Sequence, residues 1–216
     1  MNVLHPIKMP TAKERAAAEL RKAILSHQFQ EGDVLTLDSV AAQLNISTTP
    51  VREAFQILAR DGLIKLRTNK GAIVLGATER TIRDHYTVRA ILETGAVELI
   101  CDARLDVTAV KNCYDNALDS LAKGNFQDYN NYNRSFHVEI WEATGNERLV
   151  TMCSELWNGL SMGIQSTEEQ YAQLSNREHK AILDPLLVYD KADAMDAMRR
   201  HIMRSCEDML THHRKT

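Results

Sequence analysis

The sequence predicts a mainly α-helical protein with two domains: an N-terminal domain of three helices and a small β-wing, followed by an all-α antiparallel helical bundle. Three observations predict this division. Region 37–71 contains two short helical patterns and then two apolar segments on either side of a turn. The chain after residue 77 lacks strand-like alternation and is rich in helix-forming residues. Of the 216 residues 44% are hydrophobic, which allows one or two packed domains with sizeable cores.

The first predicted helix covers residues 11–27. Its apolar residues recur at helical spacing, and Thr11 with Glu14 has the pattern of a capping box. A turn at 30–33 then leads into a short segment, 34–37, that can pair with the wing. We assign these elements to a first domain, residues 1–76.

The next two helices have a layout that is typical of DNA-binding domains. Val40, Ala41 and Leu44 give the earlier helix an apolar stripe, which Asn45 can end in the left-handed conformation. Pro50 is tolerated in the first turn of the later helix. Because hydroxyls and an arginine at a helix N-terminus suit phosphates and base edges, we expect this helix to contact DNA. The expected DNA-binding residues are Ser47, Thr48, Thr49, Arg52 and Gln56.

A hairpin signal follows this helix. Two β-type segments, 63–67 and 72–75, are joined by Thr68, Asn69, Lys70 and Gly71. We expect Lys70 and Gly71 to contact DNA from the wing. Residues 1–76 hold ten Lys and Arg against seven Asp and Glu, whereas the remainder of the chain is acidic. The basic part is therefore the part with the DNA-binding pattern, and the modest asymmetry supports this interpretation.

The second domain, residues 78–216, begins where Thr78 can cap a helix. Pro185 should kink the fifth of its helices. Antiparallel packing of the helices around one core is the expected architecture. The predicted helices are 79–102, 107–122, 126–144, 147–162, 168–188 and 192–213.

Three histidines of this domain are candidate metal ligands. Asn133 and His137 are four residues apart, so they share one helix face. His179 and His201 each lie eleven residues from Asp190, where the sequence predicts a turn. An antiparallel hairpin would bring these two histidines level, so that three imidazoles and an amide oxygen could converge. The alternative is that each histidine is an ordinary core residue.

Two segments carry a family resemblance. STTPVREAFQILARDGLI, followed by NKGAIV, resembles the winged helix-turn-helix of GntR-family transcriptional regulators. NRSFHVEIWEATGNERL and REHKAILDPLLVYDKADAMDAMRRHI are similar to the C-terminal FCD effector domain of the FadR-type subfamily. The resemblance implies a homodimeric regulator, in most cases a repressor, whose affinity for a pseudo-palindromic DNA operator is controlled by a small organic-acid effector. Thr48 stands where members usually carry a guanine-reading arginine, which leaves Arg52 as the main recognition arginine.

The resemblance also implies a metal site. In the subfamily an Asp-x-x-x-His pair and two later histidines bind a divalent ion, and the matching residues here are Asn133, His137, His179 and His201. Asn133 brings no negative charge, so we expect weaker metal binding than with aspartate. Three imidazoles favour zinc or nickel over calcium or magnesium.

Arg89 and Glu93 match a recurrent Arg-x-x-x-Glu of the subfamily, in which the arginine can clamp the carboxylate of the effector. We therefore expect both residues at the effector site. A weak, solvated ion pair between them is the alternative, and the two roles are compatible.

Other classes of protein are disfavoured. No H-E-x-x-H, G-x-S-x-G or glycine-rich phosphate loop occurs, and the His137-Val138-Glu139 segment lacks the P-C-x-x-C that zinc deaminases require, so we do not expect an enzyme. A repressor that senses the metal itself remains an alternative. The four cysteines are scattered, no apolar run is as long as a membrane span, and residues 1–15 lack a signal-peptide core. We expect a cytoplasmic protein.

Overall fold

The computed structural model describes residues 11–25, 27–68, 71–76, 78–157 and 168–214. The chain divides after residue 77 into two compact units. The described residues form helices and one small three-stranded sheet, which confirms the predicted fold class. No described helix combines the length and the apolar character that crossing a bilayer requires.

The described residues of the N-terminal unit form three helices and three short strands. Its elements are α1 (Ala12–Leu25), β1 (Val34–Leu35), α2 (Leu37–Leu44), α3 (Thr48–Arg60), β2 (Ile64–Arg67) and β3 (Gly71–Val74). All strands are antiparallel in the order β1-β3-β2, and the register pairs Val34 with Ile73 and Leu66 with Ala72.

Local sequence explains where these helices begin and end. Thr11 and Glu14 form the capping box at the start of α1. The side chain of Thr36 caps α2 by accepting from the Ser39 amide, and Asn45 ends α2 in the left-handed conformation, with φ of 51°. Ser47 occupies the N-cap position of α3 without a side-chain capping bond, so its hydroxyl is not used by the helix.

The core of this unit lies between α1 and α3. The ion pair of buried Arg21 with partly exposed Asp61 joins α1 to the C-terminal end of α3. Buried apolar side chains fill the space around it, among them Ile24, Val51, Phe55, Leu58 and Ala72.

The described residues of the second unit form helices and connecting turns, with no strand among them. Thr78 and Thr81 form a reciprocal capping box at its first helix. The helices are α4 (Glu79–Ala103), α5 (Thr108–Ala122), α6 (Phe126–Ala143), α7 (Glu147–Leu156), α8 (Glu168–Leu187) and α9 (Lys191–His213). The predicted helix 147–162 is too long, because α7 ends at Leu156 and Trp157 adopts extended backbone angles. Residues 158–162 lie outside the described ranges.

A tight turn joins α8 to α9. Tyr189 has a positive φ of 58°, and the Asp190 carboxylate accepts from the Asp193 amide at the start of α9. Pro185 lies inside the last turns of α8. Because α8 packs against α9 and α4 packs along α9, residues of α4, α6, α8 and α9 meet in the interior of this unit.

Candidate metal centre and nucleic-acid interface

The three histidines that the sequence singled out meet in the interior of the helical unit. His137 is on α6, His179 on α8 and His201 on α9, and each is at most 1% exposed. The Nε2 atom of His137 lies 3.2 Å from Nε2 of His179 and 3.2 Å from Nε2 of His201. One ring nitrogen from each histidine lies within 4.8 Å of the corresponding nitrogens of the other two.

Two carboxylates fix the orientation of two of these rings. His137 donates from Nδ1 to Oε2 of Glu93 over 2.5 Å, and His201 donates from Nδ1 to Oε2 of Glu178 over 2.7 Å. An ionised carboxylate can only accept, so the proton of each neutral ring is on Nδ1. The Nε2 atoms of His137 and His201 then face each other as bare lone pairs.

The electrostatics favour ionised Glu93 and Glu178 and neutral His179 and His201. Burial acts to raise the pKa of Glu93, but the charge of Arg89 and the contacts with His137 outweigh burial and lower that pKa below its usual range. The pKa of Glu178 is also lowered, because His201 and Arg204 outweigh its desolvation. Burial lowers the pKa of His201 to about 4, and it lowers the pKa of His179 well below its usual value. Near neutral pH the site therefore holds ionised carboxylates beside neutral rings of His179 and His201.

This donor set fits a divalent metal ion. Ligand nitrogens about 2.0–2.1 Å from a tetrahedral zinc lie about 3.3 Å apart, close to the 3.2 Å between the Nε2 atoms here. Two facing lone pairs without a proton between them repel each other unless a cation lies against both. Histidines held by carboxylates through the other ring nitrogen are also a common feature of metal sites. His137, His179 and His201 would hold the ion.

Asn133 lies one turn before His137 on α6 and is 5% exposed. Its Oδ1 accepts a hydrogen bond of 3.0 Å from the hydroxyl of Ser175 on α8. A carbonyl oxygen has two lone pairs, so this bond leaves one free for a further partner.

Arg89 and Glu93 form a fully buried pair on α4, and not the solvated surface pair considered as an alternative. Arg89 Nε donates to Oε1 of Glu93 over 2.5 Å, and the two side chains are 2% and 0% exposed. Trp141 donates to Oε2 of Glu93 over 3.3 Å. The guanidinium carbon of Arg89 lies 4.5 Å from the ring centre of Trp157. Both terminal nitrogens of Arg89 are buried without a hydrogen-bond partner among the described residues, so they can receive a ligand.

Sequence reasoning missed several residues of this site. Arg204 binds Glu178 through Nε at 2.8 Å and Nη2 at 2.6 Å, and this pair supports His201. One signal could have found them: the hairpin register that brings His179 level with His201 also places Glu178 within one turn of Arg204. Trp157 gave no such signal, because it follows the end of a helix.

The candidate nucleic-acid interface is a groove of about 740 Å³ in the N-terminal unit. Thr48, Arg52, Gln56 and Gly71 are the predicted DNA-binding residues that line it. Ser47 and Thr49 are exposed at the start of α3 but do not line the groove, and Lys70 lies outside the described residues. The remaining lining residues are Thr36, Leu37, Asp38, Phe55, Leu66, Arg67 and Thr68.

Arg67 and Gly71 have roles in this groove that the sequence did not indicate. Arg67 is exposed on β2 and adds a positive charge that sequence reasoning missed, although strand alternation places it on the same face as Lys65. Gly71 has φ of 87°, and a Cβ there would lie 1.9 Å from the carbonyl oxygen of Leu35. Close approach of β1 to β3 therefore requires glycine at this position, whether or not it also contacts DNA.

Comparisons with known proteins cover both units. Residues 84–204 match the model of the FCD domain, and residues 12–74 match that of the bacterial regulatory proteins of the gntR family. The gluconate operon transcriptional repressor of Bacillus licheniformis is 29% identical over 76% of this chain and 68% of its own length. The corresponding repressor of Bacillus subtilis is 30% identical over 70% of this chain, and the match spans 61% of that protein.

Solved structures share the fold. Escherichia coli McbR/YncC is 19% identical with a TM-score of 0.69, over 94% of this chain and 99% of that one. A metal-free FCD domain superposes on 65% of this chain and 100% of its own, with 20% identity and a TM-score of 0.55.

Proposed function

This chain belongs to the GntR family of DNA-binding transcriptional regulators and carries an FCD domain, and we propose that it is a cytoplasmic repressor controlled by a small carboxylate bound beside a divalent metal. Its family regulates transcription and is not a family of enzymes. The names of the Bacillus relatives, both repressors, support the sign of regulation. In this proposal residues 1–76 bind the operator, and residues 78–216 bind the ligands and dimerise.

The observation that supports the metal most directly is the 3.2 Å separation of the Nε2 atoms of His137 and His201. The Nδ1 protons of both rings are committed to carboxylates, so a cation between the Nε2 atoms satisfies two lone pairs at once. His179 is the third ligand and Asn133 a weak fourth. Nitrogen-rich donor sets favour zinc or nickel.

The unpartnered terminal nitrogens of Arg89 support a carboxylate effector. Donors left buried without a partner destabilise a fold by about 1–3 kcal/mol each, and a planar guanidinium matches a carboxylate with two parallel hydrogen bonds. Glu93 holds Arg89 in place, because Oε1 of Glu93 accepts from Nε and leaves both terminal nitrogens available. The effector site then consists of Arg89, held by Glu93, beside the metal.

We propose that two copies of the chain bind a pseudo-palindromic operator, because two-fold related recognition helices require two-fold related half-sites. Helix α4 supports this with Val88, Ile91 and Leu99, which are 45%, 61% and 43% exposed and form an apolar stripe of the kind that subunit interfaces bury. Ile91→Glu should yield monomers in sedimentation experiments. Leu118 on α5, which is 48% exposed, provides the matched control, Leu118→Glu.

On the DNA side, α3 enters the major groove and the wing contacts the backbone. Arg52 and Gln56 line the groove and read base edges, while Thr48 contributes a hydroxyl. Ser47, Thr49, Lys70 and Gly71 complete the proposed contacts.

Metal analysis tests the central proposal. Protein purified without chelator should contain about one zinc or nickel per chain, and His137→Ala should remove it while His85→Gln, on the same unit, should not. Operator binding is then measured with metal alone and with metal plus a panel of small carboxylates. Release by metal alone would favour a metal sensor, and the absence of metal from native and reconstituted protein would refute the metal site.

A further inference from the structure

Two hydrogen-bonded series of side chains, each in the order arginine, glutamate, histidine, lead to the three histidines. In the first, Arg89 binds Glu93, and Glu93 binds Nδ1 of His137, with 2.5 Å at both steps. In the second, Arg204 binds Glu178, and Glu178 binds Nδ1 of His201 over 2.7 Å. Each series therefore ends at a proposed metal ligand, and the carboxylate is its central member.

The two series differ at the arginine. Arg204 uses Nε and Nη2 on Glu178 and Nη1 on Asp208, so its hydrogen-bonding groups are engaged, and its side chain is 20% exposed. Arg89 is 2% exposed, uses only Nε on Glu93 and keeps Nη1 and Nη2 without a hydrogen-bond partner among the described residues. A ligand bound in the interior can therefore act on the series that begins at Arg89. In the other series, Asp208 already occupies the terminal nitrogen of Arg204 that Glu178 does not use.

We propose that Glu93 is a positioning residue that couples the two ligands: a carboxylate on Arg89 makes His137 a stronger metal ligand through Glu93. This inference rests on the proposed function, because it requires a metal at the histidines and a carboxylate at Arg89. Glu178 supports the metal in the same way but lies outside this coupling.

The direction of the effect follows from charge. Without a ligand, Glu93 faces the full positive charge of Arg89, which draws electron density away from its hydrogen bond with His137. A carboxylate on Nη1 and Nη2 shares that positive charge, so Glu93 accepts more strongly from Nδ1 of His137. A stronger acceptor at Nδ1 raises the basicity of Nε2 in the same ring and strengthens its bond to a metal. Because Glu93 is fully buried, water does not screen the effect.

Linkage makes the effect reciprocal. If the carboxylate tightens metal binding by some factor, the metal tightens carboxylate binding by the same factor. We expect a factor of about five or more, the lower end of typical couplings between sites.

The test measures zinc affinity of the full-length, chelator-treated protein by competition with a coloured chelator, in acetate and in chloride at equal ionic strength. Binding of acetate is followed separately by broadening of its carbon NMR signal. The variants are Glu93→Gln and Glu178→Gln, in which an amide oxygen can still accept from the histidine but carries no charge. Both variants should bind zinc about 10–100-fold more weakly. Acetate should tighten zinc binding about fivefold or more in the native chain and in Glu178→Gln, but less than twofold in Glu93→Gln.

The outcomes separate this inference from the proposal beneath it. If acetate binds but leaves zinc affinity unchanged, or if Glu93→Gln keeps the full effect, the coupling through Glu93 is wrong while the metal and carboxylate sites stand. If Glu178→Gln also loses the effect, the charge of the cluster as a whole carries the coupling, and the specific role of Glu93 is refuted. If the native chain binds no zinc, or binds acetate no better than Arg89→Lys does, the proposed function itself fails.

Discussion

Replacing Arg89 by leucine should destabilise the helical unit strongly, because Glu93 would then be a buried carboxylate without its ion-pair partner. Both side chains are almost completely inaccessible, and their contact is 2.5 Å. Removing one member of a buried pair typically lowers the free energy of unfolding by about 3–5 kcal/mol. For a chain of 216 residues this is a decrease in melting temperature of roughly 10 °C. The double variant Arg89→Leu/Glu93→Gln should recover most of the loss, since a neutral amide can still accept from His137 and Trp141.

Tryptophan fluorescence during urea unfolding measures this effect in the right unit, since Trp141 and Trp157 are the two tryptophans of the chain and both lie in it. Arg89→Lys is the matched control, because it keeps a positive charge near Glu93 but lacks the paired terminal nitrogens. It should retain most of the stability while losing the response to carboxylates. Unfolding of Arg89→Leu within about 1 kcal/mol of the native chain would refute the reasoning, because the pair would then contribute no more than a surface ion pair does.

Three further changes test other parts of the molecule. His201 has a pKa of about 4 when folded and about 6.5 when unfolded, so the unfolded state binds the proton first and the stability of metal-free protein should fall by up to about 3 kcal/mol between pH 6.5 and 4. Urea unfolding at several pH values should show a weaker dependence in His201→Gln, and an unchanged dependence would contradict the assignment. Arg52→Ala should reduce discrimination between operator and unrelated DNA, whereas Arg67→Ala should weaken binding to both kinds of DNA and lower the dependence of log affinity on log salt concentration by about one. Gel shifts at several salt concentrations distinguish the two variants. Equal effects of the two substitutions would refute the proposed orientation of the groove on DNA. Asn133→Asp should tighten zinc binding in chelator competition, and an unchanged affinity would remove Asn133 from the ligand set.

Most of the fold was predictable because its helix ends and turns depend on residues that are close together in the sequence. Asn45 in the left-handed conformation, the capping box of Thr11 with Glu14 and the turn before α9 depend on neighbours within a few residues, and sequence patterns report such neighbours directly. The end of α7 was not predictable in this way. No breaker precedes Trp157, and its backbone departs from the helix where its ring packs against Trp141, with ring centres 6.0 Å apart.

For the site, spacing along the helices predicted which residues are neighbours, but not which of them are buried or which way they point. The four-residue spacing of Arg89 and Glu93 predicts contact along α4, but not whether the pair is buried, because burial depends on which side of α4 faces the other helices. The hairpin places Glu178 and His179 level with the region of His201, yet successive residues point about 100° apart around a helix. Glu178 therefore reaches Nδ1 of His201 from one side while His179 lies on the other, with ring centres 4.9 Å apart. Rotation of α8 about its own axis decides this arrangement, and spacing in sequence does not report it.

The charges of the cluster explain why the amide at Asn133 matters. The buried pair of Arg89 and Glu93 carries no net charge, and the positive charge of Arg204 is paired with Glu178 and with the more exposed Asp208. A divalent ion at the histidines would bring two positive charges into a buried region that Asn133 does not compensate, and uncompensated buried charge is strongly unfavourable. An aspartate in this position would supply one of the missing negative charges from the protein. With asparagine the protein supplies one negative charge fewer, so this chain should retain a divalent metal less tightly than a chain with aspartate at this position.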